Sequence, residues 1–454
     1  MSTVKTDAIT NSSGNGPPNF PHGFTLGAGV IGPINNIGLP AGQGFGVGIC
    51  PGPLPAGMAK LSGTEDPASD NYGNYLFSDG SVMCWIPAYF YKWGTGANGL
   101  AINAVDIKPF AYFADVATAS AAGYALHRAF YDGGAVQYGV FVDKYLVSNN
   151  GGIGSSLKNG LAVASAQRGS LSTAVFSALT GNGQSPANNL GGALAAAKSR
   201  GSNFFCNTRF IYAALALLSY AHAQASSSTT FCAWYHATNN FPKGNNNNAL
   251  GDHNDTAILY VADGNGTYPG CGKTGSANLF ARTTHNGQNS GVSDLNGLLY
   301  ETQSGMTSDA TNLYILKATA QAKSLTGGNS GATDIFGATG IAALYDSLGT
   351  TYQSLTKAGG WVLYGSAAQV LSEATSGNAW NAAGAGIALA GGTGGTNAFG
   401  NDGCNQPAAW PNELSLISGG AWNDAAGAGV FALALDNVRS ASNVAVGFRS
   451  ALYL

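Results

Sequence analysis

Two short passages come close to nucleotide-binding patterns. Gly27, Gly29 and Gly32 spell GxGxxG. A dinucleotide site needs a strand before this pattern and a helix after it, because the helix N-terminus binds the pyrophosphate. Pro33 and a further run of Gly, Asn and Pro follow instead, so no such helix is expected. Residues 272–274 read GKT, but the first glycine of a phosphate-binding loop is missing upstream. Neither passage predicts a nucleotide site.

The metal-binding residue types are scattered along the chain. HExxH and GxSxG are absent from the sequence, and its 6 histidines show no metal-binding spacing. Residues 252–255 (DHND) and 263–265 (DGN) are oxygen-rich, but both lack the downstream Glu of an EF-hand, which favours hydrogen-bonded turns over calcium sites. We therefore expect no metal and no cofactor.

The cysteines form no CxxC pair, which argues against zinc knuckles and thioredoxin-type sites. No signal peptide is visible at the N-terminus, so reduced, buried thiols are expected. The residues concerned are Cys50, Cys84, Cys206, Cys232, Cys271 and Cys404.

Four carboxylates are close in sequence near the C-terminus: Asp402, Glu413, Asp424 and Asp436. Two carboxylates facing each other across a groove would permit glycoside hydrolysis. The sequence does not fix their separation, so a depolymerase of cell-surface glycan is an alternative only. We expect no enzymatic activity and no catalytic residues.

The composition limits the classes of partner. Charged residues make up only 9% of the 454 residues, and 67 residues are Gly; the usual charged share is about a quarter. With 19 Lys and Arg, a net charge of −3 and no basic run, nucleic-acid binding is not expected. The longest apolar stretch, residues 210–221, is shorter than the roughly 20 residues of a membrane span, so no membrane insertion is expected.

The elements that must position any site fall into three expected units. Residues 1–60, rich in Gly, Pro and Asn, predict an extended arm that attaches the protein. Residues 61–135 predict a small β-rich module, with a hairpin around Ser78-Asp79-Gly80 and a helix over 117–130. Residues 136–454 predict a larger α+β region. The whole chain, at 454 residues, is too long for one ordinary hydrophobic core, which is why several units are expected.

In the α+β region we expect a strand over 137–147, and helices over 190–200 and, most clearly, Thr208 to Gln224. Short strands are predicted over 258–261, 313–318, 360–364, 414–418, 428–435 and 446–453.

Four passages follow one another along the chain: FVDKYLVSN (141–149), residues 206–222 with Arg209, NGQNSGVSDLNGLLYE (286–301), and a closing pair, GGAW (419–422) with GFR (447–449). In this order they resemble formylglycine-generating-enzyme-like domains. The resemblance covers about residues 136–454. It implies a C-type-lectin-like fold, with a small irregular sheet, few helices and long loops.

The residue types in the GGAW and GFR motifs indicate that these residues support the fold and do not bind a ligand. Gly419 and Gly420 permit close backbone approach, and Trp422 can bury a large ring against the sheet. Arg449 can pair with a buried carboxylate, for which Glu301 is the natural partner. The scaffold residues expected from this resemblance are Gly419, Gly420, Trp422, Gly447, Phe448, Arg449 and Glu301.

The oxidase activity of that family does not carry over. Its catalytic members bind copper through two cysteines shortly before the final GFR motif. No cysteine lies between Trp422 and Gly447, and Cys404, the one late cysteine, precedes the GGAW motif.

Residues 419–454 are also similar to the variable region of retroelement-diversified proteins of the major tropism determinant type. In that group a reverse transcriptase changes codons between fixed positions, which here would include Gly429, Phe431 and Arg439. The resemblance predicts as variable, ligand-binding positions Ala421, Asn423, Asp424, Ala434, Asp436, Asn437, Ala441, Asn443, Val444 and Ala445.

The function implied is receptor binding at a phage tail. Residues 6–23 resemble the starts of tail-fibre proteins, and residues 79–87 resemble a module upstream of lectin-like domains in prophage tail proteins. We expect a tail-tip or tail-fibre adhesin, made in the bacterial cytoplasm and carried on the virion. Its expected partners are a host surface receptor (protein or glycan), other tail proteins and two further copies in a homotrimer. A purely structural tail or baseplate component is the other alternative.

Overall fold

Strands predominate over helices in the computed structural model of the chain. It describes residues 24–26, 29–31, 36–228, 230–232, 257–264, 271–276, 284–326, 342–349, 360–364, 377–387, 399, 402–407, 409–422, 424 and 427–454.

The strands in chain order are β1 Phe24–Leu26, β2 Gly29–Ile31, β3 Met58–Lys60, β4 Asn74–Phe77, β5 Val82–Pro87, β6 Tyr89–Trp93, β7 Val105–Pro109, β8 Ala125–Leu126, β9 Tyr131–Asp132, β10 Ala135–Val136, β11 Gly139–Asp143, β12 Val147–Asn150, β13 Ile153–Ser156, β14 Phe205–Cys206, β15 Tyr260–Val261, β16 Cys271–Gly272, β17 Tyr300–Thr302, β18 Met306–Ser308, β19 Leu313–Leu316, β20 Tyr345–Gly349, β21 Gly360–Leu363, β22 Gly403–Gln406, β23 Ile417–Ser418, β24 Leu433–Ala434, β25 Val446–Gly447 and β26 Ser450–Leu452.

The α-helices are α1 Val116–Ala121, α2 Leu190–Ala197, α3 Arg209–Ala225 and α4 Gly377–Gly384. Short 3-10 turns lie at Phe110–Tyr112, Arg128–Phe130, Phe176–Ala178, Gly181–Gly183, Ala322–Ser324 and Ala342–Leu344.

One six-stranded antiparallel sheet joins distant parts of the chain, in the order β14-β26-β11-β5-β4-β3. Phe141 on β11 pairs with Trp85 on one side and with Leu452 on the other. The Phe141 and Trp85 rings lie 4.8 Å apart and are fully buried. The sheet therefore crosses residue 135, where the sequence placed a unit boundary.

The hairpin predicted around Ser78-Asp79-Gly80 is present between β4 and β5. The Asp79 carboxylate accepts hydrogen bonds from the Ser81 amide and hydroxyl, both at 2.9 Å. Gly80 has φ +88°, a conformation that glycine adopts without a Cβ penalty. The Asx-Gly turn chemistry thus determines where the two β-rich runs reverse direction.

Residues 36–60 do not extend away from the fold as an arm. The side chains of Ile37, Phe45 and Val47 are fully buried in the largest hydrophobic core. The β3 strand, Met58–Lys60, forms one edge of the six-stranded sheet. The Gly- and Asn-rich composition misled the prediction here, because three well-spaced apolar residues suffice to anchor such a segment. Residues 1–23 lie outside the described part of the chain.

A second six-stranded sheet carries the C-terminal segment, in the order β21-β22-β24-β23-β17-β25. The β17–β25 and β22–β24 pairs are parallel, and the other three are antiparallel. β17 places Glu301 opposite Ser418 on one side and Gly447 on the other. The strands are short, so most of the described residues between 409 and 449 lie in loops and turns.

Helix α3 confirms the helix predicted from Thr208 to Gln224. The Thr208 hydroxyl accepts a hydrogen bond from the Ile211 amide at 3.2 Å and caps its N-terminus. All its residues from Arg209 to Ala223 are buried, as expected for a helix that is apolar nearly all round. Helix α2 ends slightly earlier than predicted, at Ala197.

The helix predicted over 117–130 is wrong for most of its length. Helix α1 is capped by the Asp115 carboxylate, which accepts from the Thr118 amide at 2.7 Å, and it ends at Ala121. Gly123, with φ +80°, then reverses the chain. Ala125 and Leu126 pair with β6 as strand β8, because that aromatic strand offers an open edge.

All six cysteines lie within the described residues as buried thiols, as predicted. Within the described residues, no cluster of three or more His, Cys, Asp or Glu side chains is placed to hold a metal ion. Among the helices of those same residues, none is both long enough and apolar enough to cross a membrane.

Candidate functional site

Two glycines turn the chain into the C-terminal loop. Gly419 and Gly420 have φ values of +93° and +80°, which other residues rarely adopt. A Cβ on Gly419 would lie 2.6 Å from the Leu295 carbonyl oxygen, and one on Gly420 would lie 2.6 Å from the Ala428 Cα. Both positions therefore require glycine on grounds of conformation and of space.

The predicted Arg449–Glu301 pair is present beneath the loop. Arg449 Nε donates to Glu301 Oε1 at 2.7 Å, and its remaining nitrogens donate to the backbone carbonyls of Lys144, at 2.8 Å, and of Ser293. Burial raises the pKa of Glu301 to about 7, and the Arg449 charge counteracts that rise. The guanidinium thus ties the C-terminal strand to β17 and to the loops that follow β11.

Trp422 packs in a small apolar cluster of its own. Only 8% of the residue is exposed. Its buried neighbours are Leu146, Ala162, Ala164, Leu298, Leu299 and Ala421, and Tyr300 and Ala445 pack at the edge of the cluster. One side of this cluster opens into a pocket.

This C-terminal pocket has a volume of about 350 Å³. It is lined by Arg168, Gly169, Asp263, Tyr300, Ile417, Trp422, Asp424, Asn443, Val444, Ala445 and Val446. Three separate stretches of chain meet here, near residues 168, 263 and 300, together with the C-terminal loop. The lining combines two aromatic rings, an aliphatic wall and four polar or charged side chains.

Asp424 and Tyr300 form the hydrogen-bonded side of the pocket. The Asp424 carboxylate accepts a hydrogen bond from the Ala421 amide at 2.6 Å and another from the Tyr300 hydroxyl. Burial raises the pKa of Tyr300, and the negative charges of Asp424 and Asp436 raise it further. Burial also raises the pKa of Asp424. The phenol therefore stays protonated and holds the carboxylate in place.

A tight turn at Asn443 forms the opposite rim. Asn443 Oδ1 accepts from the Ala445 amide at 2.7 Å, and the Asn443 amide donates to Ser165 Oγ at 2.8 Å. Ser442 Oγ donates in turn to the Ser165 carbonyl at 2.7 Å. The Val444 side chain, at the tip of the turn, is 40% exposed. Backbone groups and Ser165 hold this turn, so the Val444 side chain is not needed to maintain it.

The pocket floor receives two nearly buried charges. Arg168 and Asp263 are each 5% exposed. The Ser170 amide donates to the Asp263 carbonyl at 2.7 Å, which joins the two loops that carry them. Burial raises the pKa of the Cys271 thiol to about 11. The Arg168 charge lowers that pKa and the Asp263 charge raises it, so both charged groups lie near this thiol.

The predicted ligand-binding positions fall into four groups. Asp424, Asn443, Val444 and Ala445 line the pocket. Asp436 and Ala441 are exposed and Asn437 is half-buried, all outside the pocket lining. Ala421 and Ala434 are buried, at 0% and 4% exposure, so their side chains face the core. Asn423 lies outside the described residues.

The four carboxylates considered for glycoside hydrolysis are not gathered. Asp402 and Glu413 are buried, at 0% and 4% exposure. Asp436 is exposed and accepts from Asn405 Nδ2 at 2.7 Å. Asp424 alone of the four lines the pocket, where it is joined by Asp263 instead.

Sequence reasoning missed Arg168, Asp263 and Tyr300. Arg168 and Asp263 stand in loops far from the C-terminal segment, and nothing in their spacing points to it. Tyr300 could have been found, because it directly precedes Glu301 in the segment that resembles formylglycine-generating-enzyme-like domains. Neighbours in a strand point to opposite faces, so the residue beside a buried Glu301 must face the other way, toward the loop.

No protein family model matches the sequence, and no curated protein is similar to it. Among solved structures, the Major Tropism Determinant M1, U1 and P3c variants align with TM-scores of 0.31, 0.29 and 0.30 and identities of 11%, 11% and 12%. The alignments cover 82%, 83% and 83% of this chain. The chain spans 63%, 65% and 65% of the length of those proteins.

Proposed function

We propose that this chain is a phage receptor-binding protein that attaches to a host surface through the C-terminal pocket. The observation that carries the proposal is the meeting of Asp424, Asn443, Val444 and Ala445 in one pocket. The sequence resemblance alone predicts these four residues as ligand-binding positions. Loops held on a rigid frame are the usual location of binding residues.

The division between frame and loop supports binding. The residues that hold the loop, among them Arg449, Glu301 and Gly419, are buried. The Val444 side chain supports no buried structure, and the Asn443 side chain bonds only within its own turn. Such a loop can change its surface residues without loss of the fold, which suits a protein that must match a variable receptor.

The wider proposal concerns the particle. The region from about residue 136 would be a C-type-lectin-like domain related to formylglycine-generating enzymes, and its C-terminal segment would be diversified by a retroelement. Residues 1–60 would include the attachment to the tail. Three copies on a tail tip would raise a weak single-site affinity through avidity. Because residues 36–60 pack into the core, deletion of residues 1–23 is the suitable test: particles should lose the protein, while purified protein still binds cells.

The adhesin role is tested with labelled protein and a panel of bacterial strains, by flow cytometry. Val444→Trp fills the pocket mouth and should reduce the bound signal on a permissive strain about tenfold or more, as a loss of at least ~1.4 kcal/mol per site predicts. Val438→Trp is the matched control, because Val438 is 39% exposed and does not line the pocket. Equal binding by both variants would leave a structural tail component as the better interpretation.

A glycan depolymerase is the second candidate, favoured by one observation. Asp263 and Asp424 both line the pocket, as two carboxylates of a glycosidase would. Release of reducing ends from host cell-wall glycan, lost in Asp424→Asn, would establish this activity. Cell binding without any release supports the adhesin.

A further inference from the structure

We propose that the C-terminal pocket accepts a cationic side chain, Lys or Arg, presented by a protein receptor. This inference rests on the proposed function, because it names the chemistry of the receptor that the same pocket would bind. Three properties of the pocket lead to it: its balance of charge, its aromatic walls and its size.

The charge balance of the lining is negative. Among the described residues of the lining, Asp263 and Asp424 contribute two carboxylates and Arg168 contributes one basic group. Asp436 lies outside the lining but close enough for its charge to act on Tyr300. An incoming cation is therefore attracted, and an anionic group such as a phosphate or a sialic acid is repelled.

The Asp424 carboxylate keeps acceptor capacity for a ligand. A carboxylate offers about four lone-pair sites. The Ala421 amide and the Tyr300 hydroxyl occupy two of them. These two donors also fix the carboxylate in one orientation, so a cation that binds there loses little free energy to ordering the protein.

The aromatic walls favour a cation for a separate reason. Trp422 and Tyr300 both line the pocket, beside the two carboxylates. The face of an aromatic ring attracts a cation through the ring quadrupole, and Trp is the best of the aromatic side chains for this. Rings and carboxylates in one pocket favour an ammonium or guanidinium group over a neutral hydroxyl.

The size points to a single side chain. A volume of about 350 Å³ is at the small end of ligand pockets, which run from about 300 to 1,000 Å³. The aliphatic wall of Ile417, Val444 and Val446 suits the methylene stem of a Lys or Arg, while the head reaches the carboxylates.

The test follows the indole resonance of Trp422 by NMR in the full chain labelled with ¹⁵N-Trp, assigned through Trp422→Phe. The probe is Nα-acetyl-lysine amide, with Nα-acetyl-norleucine amide as its uncharged analogue and a neutral methyl glycoside as the saccharide arm. We expect a saturable shift with the lysine probe alone. Asp424→Asn should weaken binding of the lysine probe about tenfold, whereas Asp70→Asn, which removes an exposed carboxylate outside the described lining, should leave that binding unchanged.

Ionic strength supplies a measurement that needs no variant. Raising the salt concentration from 0.1 M to 1 M should weaken binding of the lysine probe several-fold, because salt screens the attraction between charges. Equal shifts with norleucine amide, or a response to the glycoside in place of lysine, would overturn the inference. If the lysine probe fails while Val444→Trp still abolishes cell binding, the adhesin role stands without the cation. If the lysine probe binds while Val444→Trp leaves cell binding intact, the cation site stands and the adhesin role fails.

Discussion

Arg449 Nε lies 2.7 Å from Glu301 Oε1, and neither side chain is more than 1% exposed. The pair joins the start of β26 to β17. Glu301 directly follows Tyr300, which lines the pocket. A buried ion pair of this kind holds two elements in one geometry, since each charge is stable there only with the other present.

Arg449→Met should destabilise the protein strongly. It leaves the Glu301 carboxylate buried without its partner, which typically costs about 3–5 kcal/mol. Denaturant unfolding followed by circular dichroism measures the loss. Lys60→Met is the control, because the Lys60–Glu65 pair is about half-exposed and contributes about 0–1 kcal/mol. Similar losses in the two variants would mean that the buried pair is not a structural tie.

The ionisation of Asp402 should lower the free energy of unfolding as the pH rises from about 4 to about 8. Burial raises the pKa of Asp402 from 3.8 to about 8. A raised carboxyl pKa favours the folded state below the unfolded pKa, and that contribution is lost as the pH approaches the folded value. Glu301, raised to about 7, acts in the same direction.

Asp402→Asn isolates the Asp402 contribution. The amide oxygen can still accept from the Phe431 amide, as Asp402 Oδ2 does at 2.9 Å, but the residue no longer titrates. The free energy of unfolding at pH 8 relative to that at pH 5 should be higher in Asp402→Asn than in the unchanged protein by ~1–3 kcal/mol. Urea titrations at the two pH values measure it; an unchanged pH dependence would show that Asp402 is ionised throughout.

Gly429→Ala should destabilise the C-terminal loop. A Cβ at Gly429 would overlap the buried Asp402 carboxylate, and forcing a methyl group into a packed site costs about 1–3 kcal/mol. Gly427→Ala is the control in the same loop, because none of the described residues has an atom within 4 Å of its Cβ position. Thermal melts of both variants compare them directly, and a Gly429→Ala protein as stable as Gly427→Ala would contradict the packing described.

Phe45→Ala should cost about 3–5 kcal/mol, because the fully buried ring leaves a cavity in the main core. Leu39→Ala, six residues earlier and 74% exposed, should be nearly neutral. Denaturant unfolding of the pair measures how firmly residues 36–60 belong to the fold. Equal, small effects would restore the interpretation of this segment as a detached arm.

Local patterns in the sequence predicted the elements that local physics determines. The Ser78-Asp79-Gly80 turn, helix α3 and its Thr208 cap follow from short-range rules. The Arg449–Glu301 pair came from a resemblance and from the scarcity of acidic residues. By contrast, Ala125 and Leu126 are a strand because β6 offers an edge, which no local pattern can show.

Only some of the residues that line the pocket could be predicted, because local patterns do not show which distant loops meet. Asp424, Asn443, Val444 and Ala445 came from one contiguous segment. Arg168 and Asp263 reach it through loops whose position depends on the whole fold. Ala421 and Ala434 show the opposite failure: small residues are compatible with a surface or a core, and here the packing around Trp422 and along β24 placed them inside.

The pairing of Phe141 with Leu452 has a consequence for how the protein is made. Contacts between residues so far apart along the chain are slow to form, because a long loop must close first. While a ribosome is still making the chain, β11 has no β26 beside it, and the Phe141 edge is open to incorrect pairing. A chain that stopped before Ser450 would lack β26, so the Phe141 edge of β11 would stay unpaired. We therefore expect truncated products to aggregate or be degraded, so that only copies with an intact C-terminal strand accumulate.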